Sequence, residues 1–164
     1  MTTLTDTTEL AIGGGFSASA TMCGDLQQVL VDLIGLQFQA KQAHWNVVGH
    51  NFRDLHLQLD EITDAAREAA DTVAERMRGL GAVADGRAPT VAATARLIPL
   101  PAGEIATSTV VELITSSLRA VVADIRRVHD EVDAEDPSTS DLLHGIVVEL
   151  EKQAWMLSAE NRSA

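Results

Sequence analysis

Two side-chain pairs on one uninterrupted helical stretch restrict what this chain can build. His56 with Asp60, and Asp71 with Glu75, are each spaced i,i+4, and an apolar, alanine-rich segment separates them. Partners at that spacing project from the same helix face one turn apart, so each pair can grip one metal ion. The two pairs cannot grip the same ion within one chain. Asp60 and Asp71 lie eleven residues apart, about 16 Å along a helix axis, against a metal–ligand bond of about 2 Å.

A second copy of the helix laid antiparallel across the first closes that gap. Facing positions in such a pair have residue numbers with a constant sum, and 56 with 75 and 60 with 71 share the sum 131. Both matches therefore hold in one register. The crossing falls between Ala65 and Ala66, Ile62 faces Ala69, and small residues there let two backbones approach. The spacing predicts a two-fold dimer with two equivalent metal sites at its seam. Each site takes His56 and Asp60 from one subunit and Asp71 and Glu75 from the other. His44, on the preceding segment, is the natural extra nitrogen ligand.

A chain of 164 residues is read as one domain, long enough to bury a core without disulfides. The single cysteine, Cys23, is read as a small buried apolar side chain and fits a reducing cytosol. No basic stretch precedes an apolar run at the start, so a secretory signal is not expected. Asp32 and Gly35 interrupt the best candidate for a membrane span. A net charge of −12, with scattered Lys and Arg, argues against a generic nucleic-acid surface. With no Tyr, three Phe and two Trp, the chain also lacks material for a base-stacking platform.

Residues 1–20 are rich in Thr, Ser, Gly and Ala and read as a flexible tail. From Met22 the apolar residues Leu26, Val29, Leu30, Leu33, Ile34, Leu36 and Phe38 recur at helical spacing, which predicts a first helix to about Val48. A second runs from near Phe52 to Leu80 on a stripe of Leu55, Leu59, Ile62, Ala66, Ala69, Val73 and Met77. Residues 82–107 hold Pro89, Pro99 and Pro101 and read as a long crossover. One short helix is expected there over 91–97, capped by Thr90. Thr109 and Glu112 suggest a capping box for a third long helix to about Val132. Glu135-Asp136-Pro137 reads as a turn, with Ser138 capping a fourth helix to about Ser158. The fold class is all-α, a four-helix bundle with a crossover between its halves.

The segment from Lys41 to Phe52 (Lys-Gln-Ala-His-Trp-Asn-Val-Val-Gly-His-Asn-Phe), then Leu55-His56 and Leu59-Asp60-Glu61, resembles the Dps family. These are ferritin-like mini-ferritins named for DNA binding in starved cells. Asp71-Thr-Val-Ala-Glu75-Arg76 and Leu80-Gly81 keep the same order. The resemblance covers the helical region and implies a ferritin-like domain over residues 21–160. It implies a dodecameric hollow shell, a homododecamer with a ferroxidase centre shared across each two-fold interface. Fe(II) and hydrogen peroxide are the implied substrates, and ferric oxide the stored product. On the matching positions His44, His56 and Asp60 come from one subunit, and Asp71 and Glu75 from its mate. Many members bind DNA through lysine-rich tails; here residues 1–40 contain no basic side chain. DNA is thus a partner by resemblance that the charge does not support.

A mixed imidazole and carboxylate shell suits Fe(II) and stabilises Fe(III) through its harder oxygens. His44, Asp71 and Glu75 are assigned to the tighter position, with His56 and Asp60 completing it or holding a second iron. Taken singly, any of these residues is most often a solvated charge or a packed imidazole; the matching register of all five favours the site. Trp45 beside the ligand is open between core packing and orienting it, and Trp155 reads as packing. His50, His129 and His144 read as surface residues. Asp141 aligns with acidic residues that line an iron-entry pore in the family, although a helix macrodipole also favours an acid in a first turn. Two other readings compete. One is a nucleoid-compacting structural protein, and the other a larger bacterioferritin-type shell. The second needs Glu-x-x-His motifs, which the chain does not contain.

Overall fold

The computed structural model describes residues 16–162; most of the expected tail, residues 1–15, lies outside them. The chain runs α1 (Ala20–Asn46), β1 (Val47–Val48), α2 (Phe52–Gly79), α3 (Ala88–Thr94), β2 (Ile105–Ala106), α4 (Thr107–Glu135) and α5 (Pro137–Ala159). α1 packs on α2 and α4, and α5 packs on α2 and α4, so the four long helices close a bundle. Leu26, Leu33, Leu36, Leu59, Ile62, Met77, Ile114, Leu118, Ile125, Leu143, Leu150 and Leu157 fill its centre. Their i,i+3 and i,i+4 recurrence gives each helix one buried stripe. Phe38, expected in that stripe, is 54% exposed instead.

The helix starts depart from the expected caps. Thr90 lies inside α3, which follows Arg87 and carries Pro89 in its first turn. Its hydroxyl donates to Asp85 Oδ2 at 2.9 Å. α4 begins two residues before Thr109, and no side chain caps it. α5 follows Asp136 with Pro137 in its first turn, which leaves Ser138 inside the helix. Proline sets both of those starts because its fixed φ suits a first turn, where its missing N–H costs nothing. α1 does have a side-chain cap: Ser19 Oγ accepts the Met22 N–H at 3.1 Å.

α1 stops at Asn46, and Val47–Val48 form a two-residue parallel pairing with Ile105–Ala106. This pairing joins the hinge after α1 to the end of the crossover. The reversal into α2 uses Gly49 at φ 124° and Asn51 at φ 57°. A side chain at Gly49 would meet Thr107 Oγ1 at 3.1 Å in a conformation L residues avoid. The sharp reversal lays the end of α1 beside the start of α2, which brings His44 and His56 together.

The crossover is pinned by polar groups of α1. Gln27 exchanges two hydrogen bonds with the Asp85 backbone, at 2.8 and 2.9 Å. Asp32, fully buried, accepts the Arg96 N–H at 2.7 Å and the Gln28 amide at 2.9 Å. Burial pushes the Asp32 carboxyl up, and those donors oppose the shift.

At the α4–α5 corner Arg76 pairs with Asp136 and donates to Thr139 Oγ1 at 2.7 Å. Burial raises the Asp136 carboxyl, but the Thr139 hydroxyl and the Arg76 guanidinium outweigh it and hold the group below its usual range. A depressed folded value stabilises the fold above the unfolded pKa of about 3.9, and that contribution is lost as pH falls through the folded value. Arg76→Ala is therefore expected to cost about 1–3 kcal/mol at pH 7. Thermal melts of variant and native protein should converge as pH drops below 4; an equal gap at both pH values would contradict the assignment.

Candidate metal centre

His44 occupies the last turn of α1 and is 7% exposed. His56 and Asp60 lie one turn apart near the start of α2. The two imidazoles stack with ring centroids 3.6 Å apart, and the Phe52 ring lies tilted 5.2 Å from that of His56. Each ring is fixed by the other residue's backbone. His44 Nδ1 lies 2.8 Å from the His56 carbonyl oxygen, and His56 Nδ1 lies 2.9 Å from the His44 carbonyl oxygen. A carbonyl can only accept, so each Nδ1 carries a proton and donates. With Nδ1 engaged in this way, Nε2 is the nitrogen left to offer a lone pair to a metal.

Asp60 completes this half-site. Its Oδ1 lies 3.3 Å from His44 Nδ1 and 2.5 Å from Lys41 Nζ. The hydrogen-bonded Lys41 ammonium holds the Asp60 carboxyl below the usual carboxylate range, with His44 adding to the effect against partial burial. Lys41 carries no ligand chemistry and was not singled out from the sequence. Its place three residues before His44, on the same face of α1, is the signal that marks it. In the protomer it sits on the oxygen an incoming cation would use.

Asp71 and Glu75 are exposed further along α2. Asp71 lines an open groove of about 670 Å³ together with Leu30, Ile34, Arg67, Ala74 and Ala84. Among the described residues no three His, Cys, Asp or Glu of one protomer are placed to hold a metal ion. One protomer thus brings His44, His56 and Asp60 near one another without closing a metal site, and leaves Asp71 and Glu75 on open surface.

The detail of the helix crossing needs correction. Ile62 and Ala66 are fully buried and Ala69 is 7% exposed, all within the protomer's own core. At about 100° per residue, His56, Asp60, Asp71 and Glu75 fall within an arc of about 100°, and Ile62, Ala66 and Ala69 centre on the opposite side. A constant-sum register fixes position along the axis but not direction around it. Ile62 and Ala69 therefore cannot face a partner on the ligand side.

Of the remaining residues, Trp155 and Cys23 differ from expectation, while His50 and His144 are exposed as expected. Trp45 is 67% exposed and Trp155 65% exposed, so neither packs in the core of the protomer. Cys23 is half-buried rather than buried. His129 and His144 stack with centroids 4.4 Å apart, and Ser140 Oγ lies 2.9 Å from His129 Nε2. Asp141 is the fifth residue of α5, past its first turn, and lies 3.9 Å from His144.

The chain matches the family model for the ferritin-like domain over residues 24–162. It is 37% identical over 134 residues to DNA protection during starvation protein 2 of Deinococcus radiodurans, covering 82% of this chain but only 56% of that relative. It is 32% identical over 144 residues to the DNA protection during starvation protein of Agrobacterium fabrum, covering 87% of this chain and 89% of that one. In three dimensions it is similar to the structure of Dps from Microbacterium arborescens in the high iron form. The TM-score is 0.81 at 30% identity, over 89% of this chain and 98% of the other. A crystal structure of a Dps protein from Deinococcus radiodurans gives a TM-score of 0.83 at 35% identity, over 87% and 86%. The chain belongs to the ferritin-like family and, within it, to the Dps proteins.

Proposed function

We propose that this protein binds and oxidises Fe(II) at centres shared between two subunits and stores the ferric product in a twelve-subunit shell. The observation that carries the reading is the fixed pair of imidazoles beside Asp60, with Asp71 and Glu75 displaced along the same helix face. His44 and His56 offer Nε2, Asp60 offers a carboxylate, and the partner supplies Asp71 and Glu75 to complete each pocket. A shell of two nitrogens and three carboxylates favours Fe(II) entry and holds Fe(III) more tightly through oxygen. Hydrogen peroxide is the proposed oxidant. One peroxide takes one electron from each of two Fe(II) ions, accepts two protons and leaves as two waters.

Removing both reagents together protects DNA without touching it. The charge supports that mode over coating: the chain carries −12, and residues 1–40 hold no basic side chain. No helix among the described residues is long and apolar enough to cross a membrane. A free, half-buried Cys23 suits the reducing cytoplasm proposed for it. The domain over 21–160 and a pore role for Asp141 complete the proposal. The direct test mixes the protein with Fe(II), peroxide and a plasmid reporter. Ferric absorbance should rise while the plasmid stays unnicked; nicking at the rate of the protein-free control would refute the reading.

Lys41 tunes this site. Its ammonium pairs with Asp60 and must be displaced by an arriving cation, so Lys41→Gln should strengthen Fe(II) or Co(II) binding by roughly 2- to 5-fold, the scale of a partly exposed ion pair. Anaerobic Co(II) titration followed by absorbance reads it. Unchanged or weaker binding would remove Lys41 from the account.

A further inference from the structure

We infer that Asp64 and Arg67 form reciprocal ion pairs across the two-fold seam and set the register in which the metal ligands meet. The inference rests on the shared-site reading above and deepens it, since it names what aligns the two copies of α2.

Both residues lie on the ligand face. Asp64 and Arg67 fall inside the arc spanned by His56 and Glu75, closer to its middle than either of those ligands. Both are exposed in the protomer, with side-chain exposures of 71% and 67%, and their mutual contact is a single 3.3 Å pair within one helix. Such a pair contributes little in water, so it does not explain a charged couplet at this point of the helix. Arg67 also lines the open groove beside Asp71, Leu30 and Ile34.

The antiparallel register that sets His56 against the partner's Glu75, and Asp60 against the partner's Asp71, also sets Asp64 against the partner's Arg67. The two contacts lie on either side of the axis, about 2 Å from it along the helix. Each guanidinium then sits between its own Asp64 and the partner's Asp64, and the four charges close a ring around the axis. Helices in contact lie about 8–10 Å apart, a span that an Arg and an Asp side chain can bridge. The buried stripe of Ile62, Ala66 and Ala69 is spent on the protomer's own core, so it is not free to fix the alignment.

The same charges oppose misalignment. A slip of three residues in one direction sets Asp64 against the partner's Asp64, and in the other direction sets Arg67 against the partner's Arg67. A slip of four one way sets Asp64 against Asp71 and Asp60 against Glu75. A slip of four the other way pairs Arg67 with Asp60 but strands Glu75 opposite Phe52. Like charges brought together in a desolvated seam discriminate strongly against the wrong arrangement.

Charge reversal in two separate chains tests this, because it separates the seam from the helix's own couplet. Asp64→Arg alone and Arg67→Asp alone each place like charges across the seam and within their own helix. When the two variants are co-expressed, every unlike pairing restores both seam contacts, while each helix keeps its internal repulsion. Particle mass by sedimentation and Co(II) bound per subunit are the readouts, with far-UV circular dichroism following helix content. We expect each variant alone to give smaller particles and at least tenfold weaker Co(II) binding. We expect the co-expressed pair to recover native mass and affinity. Native mass and affinity in either single variant, or no recovery in the pair, would overturn the inference. Failure of the shared site itself reads differently: Asp71→Ala with Glu75→Ala would then bind Co(II) as well as the native protein.

Discussion

Asp71→Ala combined with Glu75→Ala is expected to lower peroxide-dependent Fe(II) oxidation by more than about 100-fold, since loss of even an outer-sphere contact costs 10–100-fold at metal sites. Both carboxylates are exposed in the protomer and neither contributes to its core. The variant should therefore fold, assemble and melt as the native protein does. What it loses is the hard-oxygen half of each pocket, the half that stabilises the ferric product over the ferrous substrate. The imidazole half survives with its backbone-fixed rings, so residual weak binding of Co(II) is expected while turnover is not. Stopped-flow absorbance of ferric product measures the rate. A variant that oxidises Fe(II) at the native rate would place the chemistry elsewhere in the molecule.

The second large effect separates the two faces of α2. Ile62 is fully buried in the core, directly behind the ligand face. Ile62→Ala is expected to cost about 2–5 kcal/mol from lost transfer energy and the cavity left behind. At this chain length that is a fall of roughly 4–20 °C in melting temperature. Asp60→Ala, on the opposite face and partly exposed, should shift the metal-free melt by no more than about 0.5 kcal/mol while weakening ion binding. Differential scanning calorimetry of metal-free samples reads both. If Ile62→Ala leaves the melt unchanged but alters particle mass, the residue faces a partner and the core described here is wrong.

The four long helices were legible because their apolar stripes repeat at helical spacing over more than twenty residues, as in Leu26 to Leu36 and Leu55 to Met77. Their starts were less so. Thr90, Thr109 and Ser138 have the chemistry of caps, yet the helices begin earlier, at Ala88, Thr107 and Pro137. A capping side chain is one way to start a helix; a proline in the first turn or an extended residue before it is another. The pairing of Val47–Val48 with Ile105–Ala106 is non-local and two residues long, too short to leave a pattern in either segment. Of the site, the ligand spacing and the register along α2 could be read from residue numbers alone. The direction around the helix could not, and Ile62 and Ala69 were misplaced for that reason. Lys41 escaped notice because its ammonium repels a metal; only the contact with Asp60 gives it a role.

Complementation between two defective chains tests the shared pocket most directly. One chain carries His56→Ala and Asp60→Ala, the other Asp71→Ala and Glu75→Ala, and neither alone should turn over Fe(II) or bind Co(II) with native affinity. Co-expressed in equal amounts, half of the seams join unlike chains, and each of those holds one fully native pocket and one fully altered pocket. About one quarter of the native pockets should therefore return, with a matching share of activity, by the symmetry of a two-fold seam. No recovery in verified mixed particles would contradict a pocket built by two subunits.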